Sequence, residues 1–169
     1  MSVVREFRLA DREAIKTCIV ELQNYERKIE PNRREGSSIC EKYVERILKN
    51  CSEQNGKIFV AEDGDGDVVG FCSVWIERKL EELISTVTEY TYISDLVILP
   101  SYRGKGFGEA LLAAAEKHAR HSNVNTIMIN ALTKNVNAIE VYKKTGFQEY
   151  ETLLKKELVP TENTQNSQG

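Results

Sequence analysis

Long apolar runs are absent from this sequence, and so is any excess of positive charge. No stretch approaches the roughly 20 apolar residues that a membrane-spanning helix needs, and no secretory leader is evident. We therefore expect a cytoplasmic protein with no membrane partner. The net charge is −3, whereas a dedicated nucleic-acid binder usually carries a basic excess. We expect no nucleic-acid partner.

Cysteine and histidine are scarce, with four and two residues respectively. Cys18, Cys40, Cys51 and Cys72 show neither close pairing nor the spacing of zinc ligands. The first three fall on apolar faces of predicted helices, where a free thiol behaves as a small apolar residue. The two histidines have no partners of metal-ligating type beside them, so the sequence predicts no metal site.

The composition that remains is typical of a single globular domain. The chain has 169 residues, of which 41% are hydrophobic and 29% are charged. No internal repeat is visible, and we predict one domain over residues 1–159. Residues 160–169 are polar, and we expect them to form a disordered tail.

Apolar periodicity predicts an alternation of strands and helices along this domain. Strands are expected at residues 3–9, 57–62, 68–76, 92–99, 126–132 and 147–158, and helices at 14–25, 39–51, 109–120 and 135–144. The turn Asp63–Asp67 carries alternating carboxylates, but Val68 and Val74 stand where a calcium loop needs a glycine and a glutamate. The pattern therefore indicates a β-hairpin.

A glycine-rich turn, Tyr102–Gly108, separates the strand ending at Leu99 from the helix over residues 109–120. Glycines let a ligand approach the backbone closely, and the first N–H groups of a helix lack internal partners. The positive end of the helix dipole adds to their attraction for an anion. Arg103 and Lys105 contribute charge. The turn therefore predicts an anion cradle for a phosphorylated ligand.

Two common phosphate-binding motifs do not fit this turn. A Walker loop ends in lysine followed by serine or threonine, whereas Lys105 lies inside the glycine run and Gly106 follows it. A dinucleotide fingerprint needs a third glycine where Glu109 stands, and an acid at the end of the next strand, which is absent.

The turn resembles a third motif, the R/Q-x-x-G-x-G/A sequence of the GCN5-related N-acetyltransferases (the GNAT family), in Arg103–Gly108. Two further segments are similar to that family at the usual distances. Asp95–Pro100 resembles its strand before the loop, and Asn135-x-x-Ala138-x-x-x-Tyr142-x-x-x-Gly146-Phe147 resembles its second characteristic segment. The predicted order of elements over residues 3–158 is also that of the family.

This resemblance implies an α/β fold with a mixed, mostly antiparallel central sheet flanked by helices. Its fourth and fifth strands splay apart to admit acetyl-CoA, the donor substrate. The glycine turn would hold the pyrophosphate, and the fourth strand would pair with the pantetheine arm as though with an added strand. The implied acetyl-CoA-binding residues are Leu96, Val97, Ile98, Arg103, Gly104, Lys105, Gly106, Phe107, Gly108, Glu109, Asn135 and Tyr142.

The resemblance also implies that Tyr142 protonates the departing thiolate as a general acid, although a core tyrosine is the alternative. The base is open. Asp95, Glu89 and Tyr92 are candidates, and a structural role for Asp95 is equally open. Strand alternation places Tyr92 and Ser94 on the face opposite Asp95, so these residues are not expected to line one pocket.

The expected reaction is direct transfer of acetyl from acetyl-CoA to a primary amine in a ternary complex. The acceptor site should lie between the first two helices and the connection at residues 77–89, which carry Glu21, Glu26, Glu30, Glu77, Glu81, Glu82 and Glu89. An acidic rim favours a small cationic amine. Arginines and lysines interleave with these glutamates, so ordinary solvated charges are the alternative.

Two other functions stay open from the sequence. One is acetylation of a protein or peptide amine, on lysine or an N-terminus. The other is an acyl-CoA-binding or sensing module without catalysis. Many family members pair, so the resemblance is compatible with a homodimer, although no exposed apolar stripe requires one.

Overall fold

The computed structural model describes residues 3–79 and 85–158 of the chain. Its elements are β1 (Val3–Glu6), α1 (Arg12–Ile29), α2 (Gly36–Glu53), β2 (Lys57–Glu62), β3 (Val68–Arg78), β4 (Glu89–Ile98), α3 (Phe107–His121), β5 (Ile127–Ile129) and α4 (Val136–Lys144). The predicted order is confirmed as far as α4. No helix within these two ranges is long and apolar enough to cross a membrane.

The five strands form one sheet in the order β1-β2-β3-β4-β5. The first three pairings are antiparallel, and β4 pairs with β5 in parallel. Helices cover both faces. The cluster under α1 and α2 includes Ile15, Ile19, Val44, Ile47, Phe71 and Val97, and the cluster under α3 includes Val74, Ile93, Phe107, Leu111 and Leu112. The predicted mixed, mostly antiparallel α/β fold is confirmed.

A glycine fixes where α2 begins against α1. A Cβ added at Gly36 would lie 2.6 Å from the Cα of Val20 and 2.7 Å from its carbonyl oxygen. The Gly36 N–H also donates to the side-chain oxygen of Asn24 at 3.0 Å. Because any larger residue would push the helices apart, this contact sets the space between them.

Strand β4 contains a β-bulge. Asp95 lies opposite Ser73 of β3, but Ile93 lies opposite the next residue, Val74. Ser94 is therefore an extra residue in β4 that has no partner in this pairing.

The bulge changes which face the following side chains occupy. Ile93 packs in the cluster under α3, whereas Val97 packs in the cluster under α1 and α2. Asp95 accepts a hydrogen bond from Tyr43 of α2. Burial raises the pKa of Asp95, and surrounding hydroxyls, that of Ser94 included, lower it. Ser94 thus lies beside Asp95, and the expectation that alternation separates them is wrong.

The predicted last strand, residues 147–158, does not form in the structure, and β5 ends at Ile129 rather than at residue 132. The large apolar side chains of this segment are exposed: Tyr150, Leu153, Leu154 and Leu158. A strand needs both a ladder partner and a face to bury, and among the described residues this segment has neither. Residues 159–169, with the predicted tail, lie outside them.

Candidate functional site

The glycine turn has the backbone geometry of an anion cradle. Gly104 and Gly106 have φ of 72° and 84°, in the left-handed region that favours glycine. Helix α3 begins at Phe107, and its first turn closes with the Ala110 N–H donating to the Gly106 oxygen at 3.1 Å. The earlier N–H groups therefore have no acceptor within the helix. The Phe107 side chain is buried, so only its backbone can face a ligand.

The β2–β3 turn supports this loop. The Tyr102 hydroxyl donates to the Asp63 carboxylate at 3.0 Å. The same carboxylate accepts the N–H groups of Asp65 and Asp67 at 3.0 and 3.1 Å. The Lys105 ammonium lies 5.1 Å from the Tyr102 ring centre. The Asp63 carboxylate therefore connects this turn to the loop through Tyr102.

Arg103 connects the loop to α1. Its Nε donates to the Ile98 carbonyl at 3.0 Å, and one terminal nitrogen lies 3.3 Å from the Glu21 carboxylate. Its guanidinium lies 5.5 Å from the Tyr25 ring centre. Arg103, one of the predicted acetyl-CoA-binding residues, thus lies at the start of the loop, but its side chain connects the end of β4 to α1.

Strand β4 has an open edge beyond the bulge. Its pairing with β5 covers only Thr91–Ile93 against Ile127–Ile129. Beyond Ile93, β4 stays paired with β3 on one side, and no described strand lies on the other. Leu96, Val97 and Ile98 follow this open edge. The splay predicted for the fourth and fifth strands is confirmed, and such an edge can pair with an extended ligand.

Asn135 lies where α4 approaches α1. Its side-chain oxygen accepts the Ala138 N–H at 3.4 Å, which caps α4. The Tyr25 hydroxyl donates to the same oxygen at 3.4 Å. Asn135 and Tyr25 therefore bring the start of α4 close to α1.

Tyr142 of α4 is half-buried beside the core cluster under α3, and its ring centre lies 6.0 Å from that of Phe147. Its hydroxyl has no hydrogen-bond partner within the described part of the chain. Burial raises the pKa of Tyr142 well above its usual value, and the nearby Cys72, Glu26 and Asp95 raise it further. The hydroxyl therefore keeps its proton at neutral pH.

Asp95 has both carboxylate oxygens engaged. It is 3% exposed, and it accepts hydrogen bonds from Tyr43 at 2.7 Å and from Ser73 at 2.6 Å. These bonds tie α2 to the sheet. They favour the structural role of Asp95 over its role as a base.

The sequence interpretation placed Glu26 in the acidic rim and did not identify it as a candidate base. Its side chain is 17% exposed and lies 3.3 Å from Arg33. Burial raises the pKa of Glu26; Arg33 lowers it and Asp95 raises it. Glu26 also raises the pKa of Tyr142, so its carboxylate lies close enough to affect the Tyr142 hydroxyl.

A sequence signal for Glu26 was available. It lies seven residues after Ile19 and four after Leu22, on the apolar stripe of α1. A carboxylate on such a stripe is a candidate for a perturbed pKa.

The expected acidic rim is largely neutralised. The ion pairs are Glu21–Arg103, Glu26–Arg33, Glu30–Lys155 and Glu89–Arg78. Glu77 accepts the indole N–H of Trp75 at 2.7 Å, and Glu81 and Glu82 lie outside the described residues. These contacts leave little unpaired negative charge to attract a cationic amine.

A model of the acetyltransferase (GNAT) family matches residues 20–147. The matched region is more than half of the chain, and it includes the glycine loop, the open edge of β4 and Tyr142. The chain therefore belongs to the GNAT acetyltransferase family, as its motifs predicted.

Two characterised relatives illustrate the range of this similarity. An N-alpha-acetyltransferase from Sulfurisphaera tokodaii is 32% identical over 110 residues, which cover 63% of this chain and 65% of that protein. An aminoglycoside N(6′)-acetyltransferase type 1 from Stenotrophomonas maltophilia is 25% identical over 111 residues, covering 66% of this chain and 72% of that protein. Two further alignments span 55% and 46% of the relatives' own lengths.

The fold is also similar to that of solved structures. The structure of AAC(6′)-Iy in complex with the bisubstrate analogue CoA-S-monomethyl-acetylneamine superposes with a TM-score of 0.68. The superposition covers 95% of this chain and 99% of that chain at 18% identity. At this identity the likeness establishes the fold alone.

Proposed function

We propose that this protein transfers an acetyl group from acetyl-CoA to a primary amine by direct attack in a ternary complex. One arrangement carries the proposal: an anion-binding loop stands at the end of an open strand edge, and α4 carries Tyr142, whose hydroxyl has no hydrogen-bond partner among the described residues. Membership of the GNAT family supports the reaction, and both relatives described above are N-acetyltransferases by name.

Acetyl-CoA would bind mainly through backbone groups. The N–H groups from Gly104 to Gly108 and that of Glu109 would hold the pyrophosphate, with Lys105 adding charge. The open edge of Leu96, Val97 and Ile98 would pair with the pantetheine arm. The amide of Asn135 would bond to the same arm. Phe107 contributes through its backbone, and Arg103 positions the loop.

The chemistry needs a proton acceptor and a proton donor. Glu26 would take a proton from the ammonium form of the acceptor, so that the free amine attacks the thioester carbonyl. A backbone N–H of β4 would stabilise the oxyanion of the tetrahedral intermediate. As the carbon–sulfur bond breaks, Tyr142 would give its proton to the thiolate. Asp95 would keep α2 in place through Tyr43.

The acceptor would be a small amine. The similarity to an aminoglycoside acetyltransferase supports a small molecule, and the sequence favours a cationic one. The similarity to an N-alpha-acetyltransferase supports a second candidate, the N-terminal amine of a peptide.

The test is release of the CoA thiol from acetyl-CoA with a panel of amines, with mass spectrometry of the products. We expect saturable, amine-dependent release, and intersecting lines when both substrates are varied, because direct attack needs both bound together. Parallel lines would contradict direct attack. Acetyl-CoA binding without release for any amine would favour the acyl-CoA-binding module.

A substitution at Gly108 separates acetyl-CoA binding from stability. A Cβ added there meets no atom within 4 Å, and its φ is not positive. We expect Gly108→Leu to hold or raise stability by up to about 1 kcal/mol, since leucine favours helix more than glycine does. Its affinity for acetyl-CoA should fall at least about tenfold, because the motif accepts only glycine or alanine here and the longer side chain enters the space of the approaching phosphates.

Calorimetric titration and thermal unfolding measure the two effects. Gly64→Leu is the matched control, because a Cβ there also meets nothing within 4 Å, and it should leave affinity unchanged. Gly106→Val should lose stability as well as affinity, because its φ is 84°. Equal affinity of Gly108→Leu and wild type would contradict the placement of the pyrophosphate.

A further inference from the structure

A pocket of about 390 Å³ opens between α1 and the first turns of α2. Its lining residues are Gln23, Arg33, Arg34, Ile39, Lys42, Tyr43 and Arg46. Four of them are arginine or lysine. The volume is in the range of small-molecule sites, so the pocket is large enough for a metabolite-sized ligand and is unusually cationic.

The positive charge of this pocket is largely uncompensated. Arg33 pairs with Glu26 at 3.3 Å. In the described ranges, Arg34, Lys42 and Arg46 make no ion pair, and the Arg46 guanidinium lies 4.4 Å from the Tyr43 ring centre instead.

The acids of α2 nearest in sequence are engaged elsewhere. Glu41 forms ion pairs with Arg12 and Lys16 of α1, and Glu45 lies 3.8 Å from Arg12. These carboxylates therefore do not neutralise the pocket.

Gln23 adds an amide to the cations of the pocket. The residue is 9% exposed and lines the pocket, and its side-chain amide makes no hydrogen bond within the part of the chain that the structure describes. Among the described residues only Thr91 Oγ1 is a fully buried side-chain polar atom without a partner, so the Gln23 amide is open to the pocket. An oxygen-rich anion would accept from this amide and from the cations around it.

The pocket adjoins the groups assigned to the chemistry. Tyr43 lines it and donates to Asp95 at 2.7 Å. Arg33 lines it and pairs with Glu26. An acceptor held by the arginines and lysine would therefore have its amine within reach of the proposed base.

We propose that this pocket binds the acceptor, and that the acceptor is a small primary amine carrying a carboxylate or phosphate group. The inference rests on the proposed function and names the substrate class of the same site. It reverses the sequence-based preference for a cationic amine, because Glu21, Glu26, Glu30 and Glu89 form ion pairs, whereas Arg34, Lys42 and Arg46 form none in the described ranges.

A binding experiment tests the pocket without turnover. Inorganic phosphate is titrated into the protein saturated with CoA, so that the glycine loop is filled, and binding is followed by calorimetry. We expect the Arg34→Gln/Lys42→Gln double variant to bind phosphate at least about tenfold more weakly than wild type. Both residues are exposed, so the fold should survive, as circular dichroism would verify.

Lys49→Gln is the matched control. Lys49 is an exposed cation of α2 outside the pocket lining, 3.9 Å from Glu53, and its loss should leave phosphate binding unchanged. Absence of binding to the wild type, or equal binding to the double variant, overturns the inference. Equal loss in Lys49→Gln would indicate general surface charge and also overturns it.

Turnover with matched amines tests the substrate class. O-phosphoethanolamine is compared with ethanolamine, alanine with alaninamide, and spermidine serves as the cationic amine. We expect kcat/KM to be at least about tenfold higher for the anionic member of a pair, mainly through KM, with a smaller ratio at high salt. The double variant should lose this preference.

The outcomes separate the two proposals. Transfer that prefers neutral or cationic amines overturns this inference and leaves the proposed function standing. Transfer confined to peptides with acidic N-terminal residues overturns the small-molecule assignment. No transfer to any amine, with acetyl-CoA still bound, overturns both. The comparison of O-phosphoethanolamine with ethanolamine tests for a phosphate group, and that of alanine with alaninamide tests for a carboxylate, so together they show which anion the pocket accepts.

Discussion

Tyr142→Phe is expected to lower kcat by about a hundredfold or more, with little change in the KM for acetyl-CoA. The hydroxyl has no hydrogen-bond partner among the described residues, and burial raises the pKa of Tyr142, so that it carries its proton at neutral pH. It can therefore donate a hydrogen bond to the sulfur as the carbon–sulfur bond breaks and negative charge develops there. The substitution keeps the ring that packs against Phe147, so the thermal midpoint should stay close to that of wild type.

Steady-state thiol release and thermal unfolding, measured together, check this expectation. Tyr150→Phe is the matched control, since Tyr150 is 77% exposed, and it should change neither quantity. If kcat survives in Tyr142→Phe, the residue is a core tyrosine. If kcat and the thermal midpoint fall together, its contribution is to packing.

Glu26→Gln is expected to lower kcat/KM by about a hundredfold at neutral pH. The carboxylate must be unprotonated to accept a proton. Burial raises the pKa of Glu26 above its usual value, Asp95 adds to this, and Arg33 opposes it. The activity of the wild type should therefore fall as the pH drops through this raised pKa, and the variant should lack that acid limb. The pH profile of kcat/KM is the measurement.

The sign of the stability effect distinguishes a base from a structural residue. A carboxyl whose folded pKa is raised favours the folded state more as the pH falls, so its charged form opposes folding at neutral pH. Glu26→Gln should therefore keep or raise the thermal midpoint while activity falls. Glu13→Gln is the control on the same helix, because Glu13 is 79% exposed.

Asp95→Asn gives the opposite pattern. Its two carboxylate oxygens accept from two hydroxyls in a buried site, and an asparagine offers one acceptor oxygen and places an N–H₂ group against the other hydroxyl. The loss of this hydrogen bond outweighs the relief of a buried carboxyl whose pKa is raised, so we expect lower stability together with any loss of rate. A loss of rate in Asp95→Asn at unchanged stability, combined with an active Glu26→Gln, would return the role of base to Asp95.

The sequence predicted the local parts of the site well. The glycine loop depends on neighbouring residues alone: two glycines in the left-handed region and the start of α3 directly after them. The open edge of β4 was predicted from the family resemblance and not from the residues of β4 themselves. The number of residues over which β4 and β5 pair depends on how far the two strands diverge.

The features that the sequence did not predict all depend on contacts between residues that are far apart in the sequence. The bulge at Ser94 depends on the register with β3, which no periodicity within β4 reveals. The predicted last strand has residues that favour strand, but among the described residues it has no neighbouring strand to pair with. The cationic pocket combines Gln23 of α1 with residues of the turn before α2 and of α2 itself, and the contact at Gly36 brings them together.

The bulge also determines which sequence changes this strand can accept. Deleting Ser94 would turn the bulge into a regular ladder, in which Ile93 and Asp95 keep their partners Val74 and Ser73 and still face opposite sides of the sheet. Deleting Leu96 instead would turn Val97 away from the cluster under α1 and α2. We therefore expect β4 to accept the loss of a residue at the bulge and not elsewhere in its pairing with β3. Libraries that vary acceptor preference can shorten the strand at Ser94 and should otherwise keep its residue count fixed.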